Sequence, residues 1–212
     1  MSILRAIECA VLFLVLPLAL ALLPFRISPI PVLIAATVLV MILLLRDPSF
    51  NRFALTTLPD LRRNLVSMLL IIPIAAALLA GLLYWLQPAA MFSFPRQQPN
   101  LWILVMCMYP IVSVVPQTII YRVFFMHRYE PLFGKGWTMV FVATAAFALC
   151  HIIFKHPLPI LLTSVGGLLF AWRYWSTGSA PLSALEHAIY GDLAFTIGYG
   201  WYLYHGSMRT MQ

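Results

Sequence analysis

Charge is what this chain most lacks. Only 9% of its 212 residues are Asp, Glu, Lys or Arg, and just 6 are acidic; about a quarter are charged in an ordinary soluble domain. So few charges cannot keep a monomer in water, which excludes a soluble monomeric domain. Cysteine is scarce too. Cys9, Cys107 and Cys150 each lie in an apolar run. An odd count without regular spacing excludes a disulfide framework and a zinc knuckle, and the three read as small buried hydrophobes. HExxH, GxSxG and SxxK are absent, which removes common metalloprotease and serine-hydrolase signatures. No repeated halves are visible, which argues against a small transporter.

Hydrocarbon is what the chain has in abundance: 63% hydrophobic residues, with mean hydropathy +0.95. The composition predicts an all-α, polytopic membrane helix bundle of about seven transmembrane helices. The net charge of +7 sits mainly between apolar runs. That placement fits membrane topology rather than nucleic-acid binding. The bilayer is the expected environment and no nucleic acid is an expected partner.

The predicted spans are residues 7–24, 30–45, 66–86, 101–126, 137–154, 158–175 and 180–204. The first resembles a signal peptide, but it lacks a small-x-small cleavage site and reads as an uncleaved helix. Glu8, near its start, reads as a headgroup-level carboxylate. Residues 47–64 interleave Phe50, Phe53 and Leu55 with Arg52, Arg62 and Arg63, as in a connector lying on an anionic leaflet. Residues 87–100 read as a loop. Pro110 and Pro116 predict kinks in the fourth span. Gly166-Gly167 predicts a close helix approach in the sixth. Tyr199, Trp201, Tyr202 and Tyr204 read as an interfacial aromatic belt.

With the N-terminus inside, Arg5, Arg46, Arg52, Arg62, Arg63, Arg128, Lys135 and Arg173 fall inside, while Arg26, Arg96, Lys155 and Arg209 fall outside. That asymmetry favours an inside N-terminus. The organisation expected is N-terminal transmembrane helices and connector over 1–100, followed by an intramembrane core over 101–212.

Several polar side chains interrupt this hydrocarbon. Arg122 lies among Ile119, Ile120, Tyr121, Val123, Phe124 and Phe125, where an unpaired cation costs several kcal/mol. It either snorkels or is buried. Thr118 is four residues before it, on the same helix face, and Gln117 is adjacent. His151 follows Phe147 by four, so that ring can steady the imidazole; Lys155 and His156 nearby favour an interfacial role instead. Glu186, His187 and Asp192 put three ionisable groups into one apolar span, which usually marks function. Glu186 and His187 diverge on a helix, whereas Asp192 can share the broad face of His187. Two histidines on different helices suggest a water-activating site. No cofactor is expected. Zinc is the alternative, with Glu186, Asp192 or Cys150 as its third ligand. A Cys150–His151 thiol pair is disfavoured because adjacent helical residues point apart.

Gln117-Thr-Ile-Ile-Tyr-Arg122, Phe147-Ala-Leu-Cys-His151 and His187 resemble the three motifs of the CPBP family of CAAX-prenyl and bacteriocin-processing intramembrane proteases: Glu-Glu-x-x-x-Arg, Phe-x-x-x-His and His-x-x-x-Asn. The resemblance covers about residues 101–205. It implies an all-helical intramembrane endopeptidase in which a glutamate and histidines activate water, with a membrane-anchored peptide or protein tail as substrate and a bacterial cytoplasmic (inner) membrane as location. Carried over by position, it implies catalytic roles for Gln117, Thr118, Arg122, His151 and His187. Gly191 stands where the family has Asn, and Asp192 would take that role one residue later.

Both motif-one glutamates are replaced. Gln117 can hold a water but cannot accept a proton at neutral pH, and a general base must titrate. Three readings stay open at this point: a substituted, inactive variant; a natural member that binds without cutting; or a carboxylate supplied by Glu186 or Asp192. A non-catalytic membrane binding or assembly protein of the same fold is the alternative function.

Overall fold

Proline and short polar breaks divide the chain into helices. The computed structural model describes residues 2–22 and 28–203. Arg26, Tyr204 and Arg209, used above for topology and the aromatic belt, lie outside the described residues. Every regular element in the described residues is helical. Five helices are long and apolar enough to cross a membrane: α1 (Ile3–Leu22), α2 (Pro29–Arg46), α3 (Leu61–Leu86), α4 (Pro99–Phe133) and α5 (Trp137–Phe154). The chain is an integral, all-α membrane bundle.

About seven are expected from the sequence; among the described residues five meet that length and apolarity. The sixth and seventh apolar runs do form helices, α6 (Pro157–Thr177) and α7 (Ala180–Ala194). However, α6 is diluted by Thr163, Ser164, the two glycines and Arg173, and α7 has only 15 residues. These two helices carry the buried pair Arg173 and Glu186. The sequence between them explains the reversal. Gly178 closes α6 on the Tyr174 carbonyl. Ser179 then caps α7, its hydroxyl accepting from the Leu182 amide at 3.1 Å and donating to the Thr57 carbonyl at 2.6 Å. Pro181 sits in the first turn, where a missing N–H costs nothing.

Half-buried polar contacts tie the N-terminal hundred residues to the rest. Glu8 is no free headgroup-level carboxylate: it accepts from Arg128 Nε and Nη2 at 3.0 and 2.7 Å and from the Tyr129 hydroxyl at 3.0 Å, joining α1 to α4. Asp47 meets His127 at 2.9 Å. Hydrogen bonds from Ser49, then His127, hold its carboxyl below the usual carboxylate range. Phe50 is buried against the His127 ring while Phe53 projects from the connector, so the expected apolar stripe there is split.

Arg173, counted above among the inside-facing charges, is buried and paired. It lies inside the bundle, donating to Glu186 through Nε and Nη2 at 3.0 and 2.9 Å, to Asn64 Oδ1 at 2.5 Å and to Ser67 Oγ at 3.0 Å. The two side chains are 3% and 1% exposed. Removing one partner of such a pair leaves an uncompensated buried charge. Arg173→Met should therefore destabilise the bundle by about 3–5 kcal/mol, read as a lowered thermal-unfolding midpoint in detergent. Arg173→Met with Glu186→Leu should recover much of that loss.

Candidate functional site

The prolines of α4 have local consequences. Two wide, π-type turns, Pro110–Val114 and Ile119–Phe124, bracket Gln117 and Thr118 and contain Arg122. Such bulges re-aim side chains and recur at functional sites. Next to α4, α5 passes close to α6 because residue 167 is glycine. A Cβ there would stand 2.9 Å from Phe147 Cδ1, as the expected close approach requires. Phe147 thus lies at the middle of the bundle.

The site is built around that ring. Arg122 is 1% exposed, with its guanidinium carbon 3.9 Å from the Phe147 centroid and 5.6 Å from that of Phe170. The burial alternative therefore holds, and snorkelling does not occur. His151 lies edge-on to Phe147 at 4.8 Å and His187 at 5.5 Å. The two imidazoles are neighbours across one phenyl ring, and they come from α5 and α7. His187 also stacks on Phe170 at 4.5 Å. Arg122 lies within electrostatic reach of both histidines.

The hydrogen bonds fix the two imidazoles differently. His151 Nδ1 donates to the Phe147 carbonyl at 2.8 Å. In the neutral ring that leaves Nε2 as the acceptor. Cys150 Sγ is 3.2 Å from the same Nδ1, closer than adjacent helical residues were expected to come. The reason is local: the α-helix ends at Cys150 and a 3-10 turn begins at His151. Even so, a nitrogen that already carries a proton cannot take one from the thiol. His187 Nε2 is bonded to the Tyr109 hydroxyl at 3.1 Å.

Gln117 donates to Ser113 Oγ at 2.6 Å. Among the described residues, the buried side-chain nitrogens and oxygens without a hydrogen-bond partner are Gln117 Oε1, Thr118 Oγ1, Arg122 Nη1 and Nη2, His187 Nδ1 and Asp192 Oδ1. All belong to residues singled out from sequence. Each such atom costs about 1–3 kcal/mol, so their concentration in one region calls for a functional explanation.

Glu186 is brought elsewhere. Its carboxylate is held by Arg173, so it is not free to replace the missing glutamates. Asp192 does not reach His187 either, since Nε2 is held by Tyr109 and Nδ1 has no partner. No three His, Cys, Asp or Glu side chains among the described residues lie together as a metal site requires. Tyr109 was missed by sequence reasoning. A tyrosine preceding a proline in an apolar span reads as packing.

Residues 98–191 match the model of the Rce1-like family, described as type II CAAX prenyl endopeptidase Rce1-like. The match takes in Tyr109, Gln117, Thr118, Arg122, His151, His187 and Gly191, and stops one residue before Asp192. No curated protein matches the chain, and no solved structure does.

Proposed function

We propose, from the match of residues 98–191 to the Rce1-like family model, that this membrane protein is an intramembrane endopeptidase acting on a membrane-tethered peptide or protein tail. The observation that carries the reading is that His151, His187 and the Arg122 guanidinium, whose Nη groups have no partner, gather on one Phe147 ring; Gln117 Oε1 and Thr118 Oγ1, buried and likewise unpartnered, lie on the same helix as Arg122.

The chemistry follows from the groups available. His151 Nε2 takes a proton from water, and its Nδ1–H, anchored on the Phe147 carbonyl, keeps the ring in that tautomer. Gln117 Oε1 accepts a hydrogen bond from the same water. Arg122 and His187 supply positive charge and a donor for the oxyanion that forms when water attacks the peptide carbonyl. The proton on His151 then passes to the leaving amine. Imidazole alone is a weaker arrangement than carboxylate with imidazole, so turnover is slow. The membrane implied by the family resemblance is a bacterial cytoplasmic one, and the distribution of Lys and Arg favours an inside N-terminus.

A second reading, binding without cleavage, is favoured by one fact: neither Gln117 nor Thr118 titrates. A single experiment separates the two. The protein is reconstituted in liposomes with a prenylated peptide and with the same peptide lacking the prenyl group. The peptidase reading expects slow, prenyl-dependent product by mass spectrometry. Saturable binding of the prenylated peptide with no product over days would leave only the second reading.

A further inference from the structure

Residue 191 has no side chain, and the space beside it is taken. A Cβ built at Gly191 would lie 2.5 Å from Tyr109 Cε1, 2.5 Å from its hydroxyl and 2.8 Å from Cζ. Real Cβ contacts are never that short, and they involve a ring wedged edge-on to Phe195 at 5.1 Å and to His187 at 6.1 Å. The ring has little freedom to retreat. Tyr109, at the end of one helix segment, and Gly191, in the last turn of α7, are therefore a matched pair. The result of the match is the 3.1 Å contact between the Tyr109 hydroxyl and His187 Nε2.

We propose that Tyr109 is the positioning residue of this site: its hydroxyl donates to His187 Nε2, fixing the imidazole proton on Nδ1 and presenting that N–H beside Arg122. This rests on the peptidase reading for its purpose, not for its geometry. The direction of the hydrogen bond follows from general chemistry. A phenol O–H is a better donor than a neutral imidazole N–H, and an imidazole nitrogen is a better acceptor than a phenol oxygen. The other ring nitrogen is then necessarily the protonated one. His187 Nδ1 is a buried atom with no partner in the protein, and as an N–H it is a second donor to complement the two unpartnered Nη groups of Arg122. His151, whose Nδ1 donates to a carbonyl, keeps the opposite tautomer. One imidazole accepts a proton and the other donates a hydrogen bond, which is the division of labour that hydrolysis requires.

The direct test is the tautomer of His187, read by 15N NMR on histidine-labelled full-length protein in lipid at neutral pH without substrate. The His187 signals are assigned from their loss in His187→Gln. The expected result is a protonated Nδ1 and a bare Nε2 in the unsubstituted protein, and a shift of the proton to Nε2 in Tyr109→Phe, which keeps the ring and loses only the hydroxyl. A proton on Nε2 in the unsubstituted protein, or an unchanged tautomer in Tyr109→Phe, overturns the proposal. Because no substrate is present, a protein that cuts nothing still returns a tautomer. Failure of the peptidase reading and failure of this one are thereby distinct.

A second measurement tests the pairing. Gly191→Ala should lower the unfolding midpoint sharply in the unsubstituted background and much less in Tyr109→Ala, where the ring is gone. Equal losses in the two backgrounds would show that the positions are not coupled and would overturn the match. On a cleaved peptide, Tyr109→Phe should lower kcat roughly 10–100-fold, the range for losing a group that orients a functional imidazole, and leave KM nearly unchanged.

Discussion

Gln117→Glu should speed peptide cleavage by about 10²–10⁴-fold, the usual worth of a positioned general base. The position is prepared for it. Gln117 already donates to Ser113, and a hydroxyl can donate in turn to a carboxylate oxygen at the same place. The second oxygen would replace Oε1, which is buried and unpartnered. The change is nearly isosteric, so the bundle is not disturbed. What changes is that a group able only to accept a hydrogen bond becomes one able to accept a proton. Thr118→Glu alone should not do the same. It sets a carboxylate one helical turn before Arg122, where ion pairing with the guanidinium absorbs it. Gln117→Ala should give no gain, which separates a base from added space. The measurement is initial product formation from a prenylated peptide in proteoliposomes. Equal rates for Gln117→Glu and the unsubstituted protein would remove Gln117 from the site.

In that accelerated background, His151→Ala should reduce cleavage to the level of the uncatalysed control, a loss of about 10³-fold or more if base and orientation act together. His187→Ala should cost about 10²–10³-fold, as expected for one oxyanion donor. The two losses differ in kind. His151→Ala removes the proton acceptor and should flatten the pH dependence. His187→Ala removes a donor and should lower kcat without changing the shape of the profile. Neither substitution touches the Arg173–Glu186 ion pair, so unfolding midpoints should stay close to that of the parent. The double variant should lose little more than His151→Ala alone, because the residues serve one step. Cleavage that survives in both single variants would mean the peptide is cut elsewhere.

Much of this was legible from hydropathy and from polar residues in the wrong place. Arg122, Thr118, Gln117, His151 and His187 stand out because hydrocarbon makes them costly, and that cost is a local property of the sequence. What was not legible depends on distant partners. Arg173 counts as an inside-facing charge in the sequence because its carboxylate, Glu186, is on another helix; the clue is an acid in an apolar span, which demands a buried base. Helical rotation predicted that Cys150 and His151 diverge, and it fails because the helix ends between them. Nothing in the span of Glu8 announces Arg128 and Tyr129 as its partners. Tyr109 was hidden by its own apolar ring. The only sign of it was a missing side chain 82 positions away, at Gly191. Five described helices have the length and apolarity to cross a membrane, whereas α6 and α7 spend part of their length on Arg173 and on Glu186 and His187.

The account depends on the motifs of α4, α5 and α7 closing on one ring. Solid-state NMR in lipid, with labelled phenylalanine rings and histidine imidazoles, tests that without any assay of activity. The account predicts through-space signals from the Phe147 ring to both His151 and His187, at separations near 4.8 and 5.5 Å between ring centres. A Phe147 ring in contact with only one of the two imidazoles would contradict it.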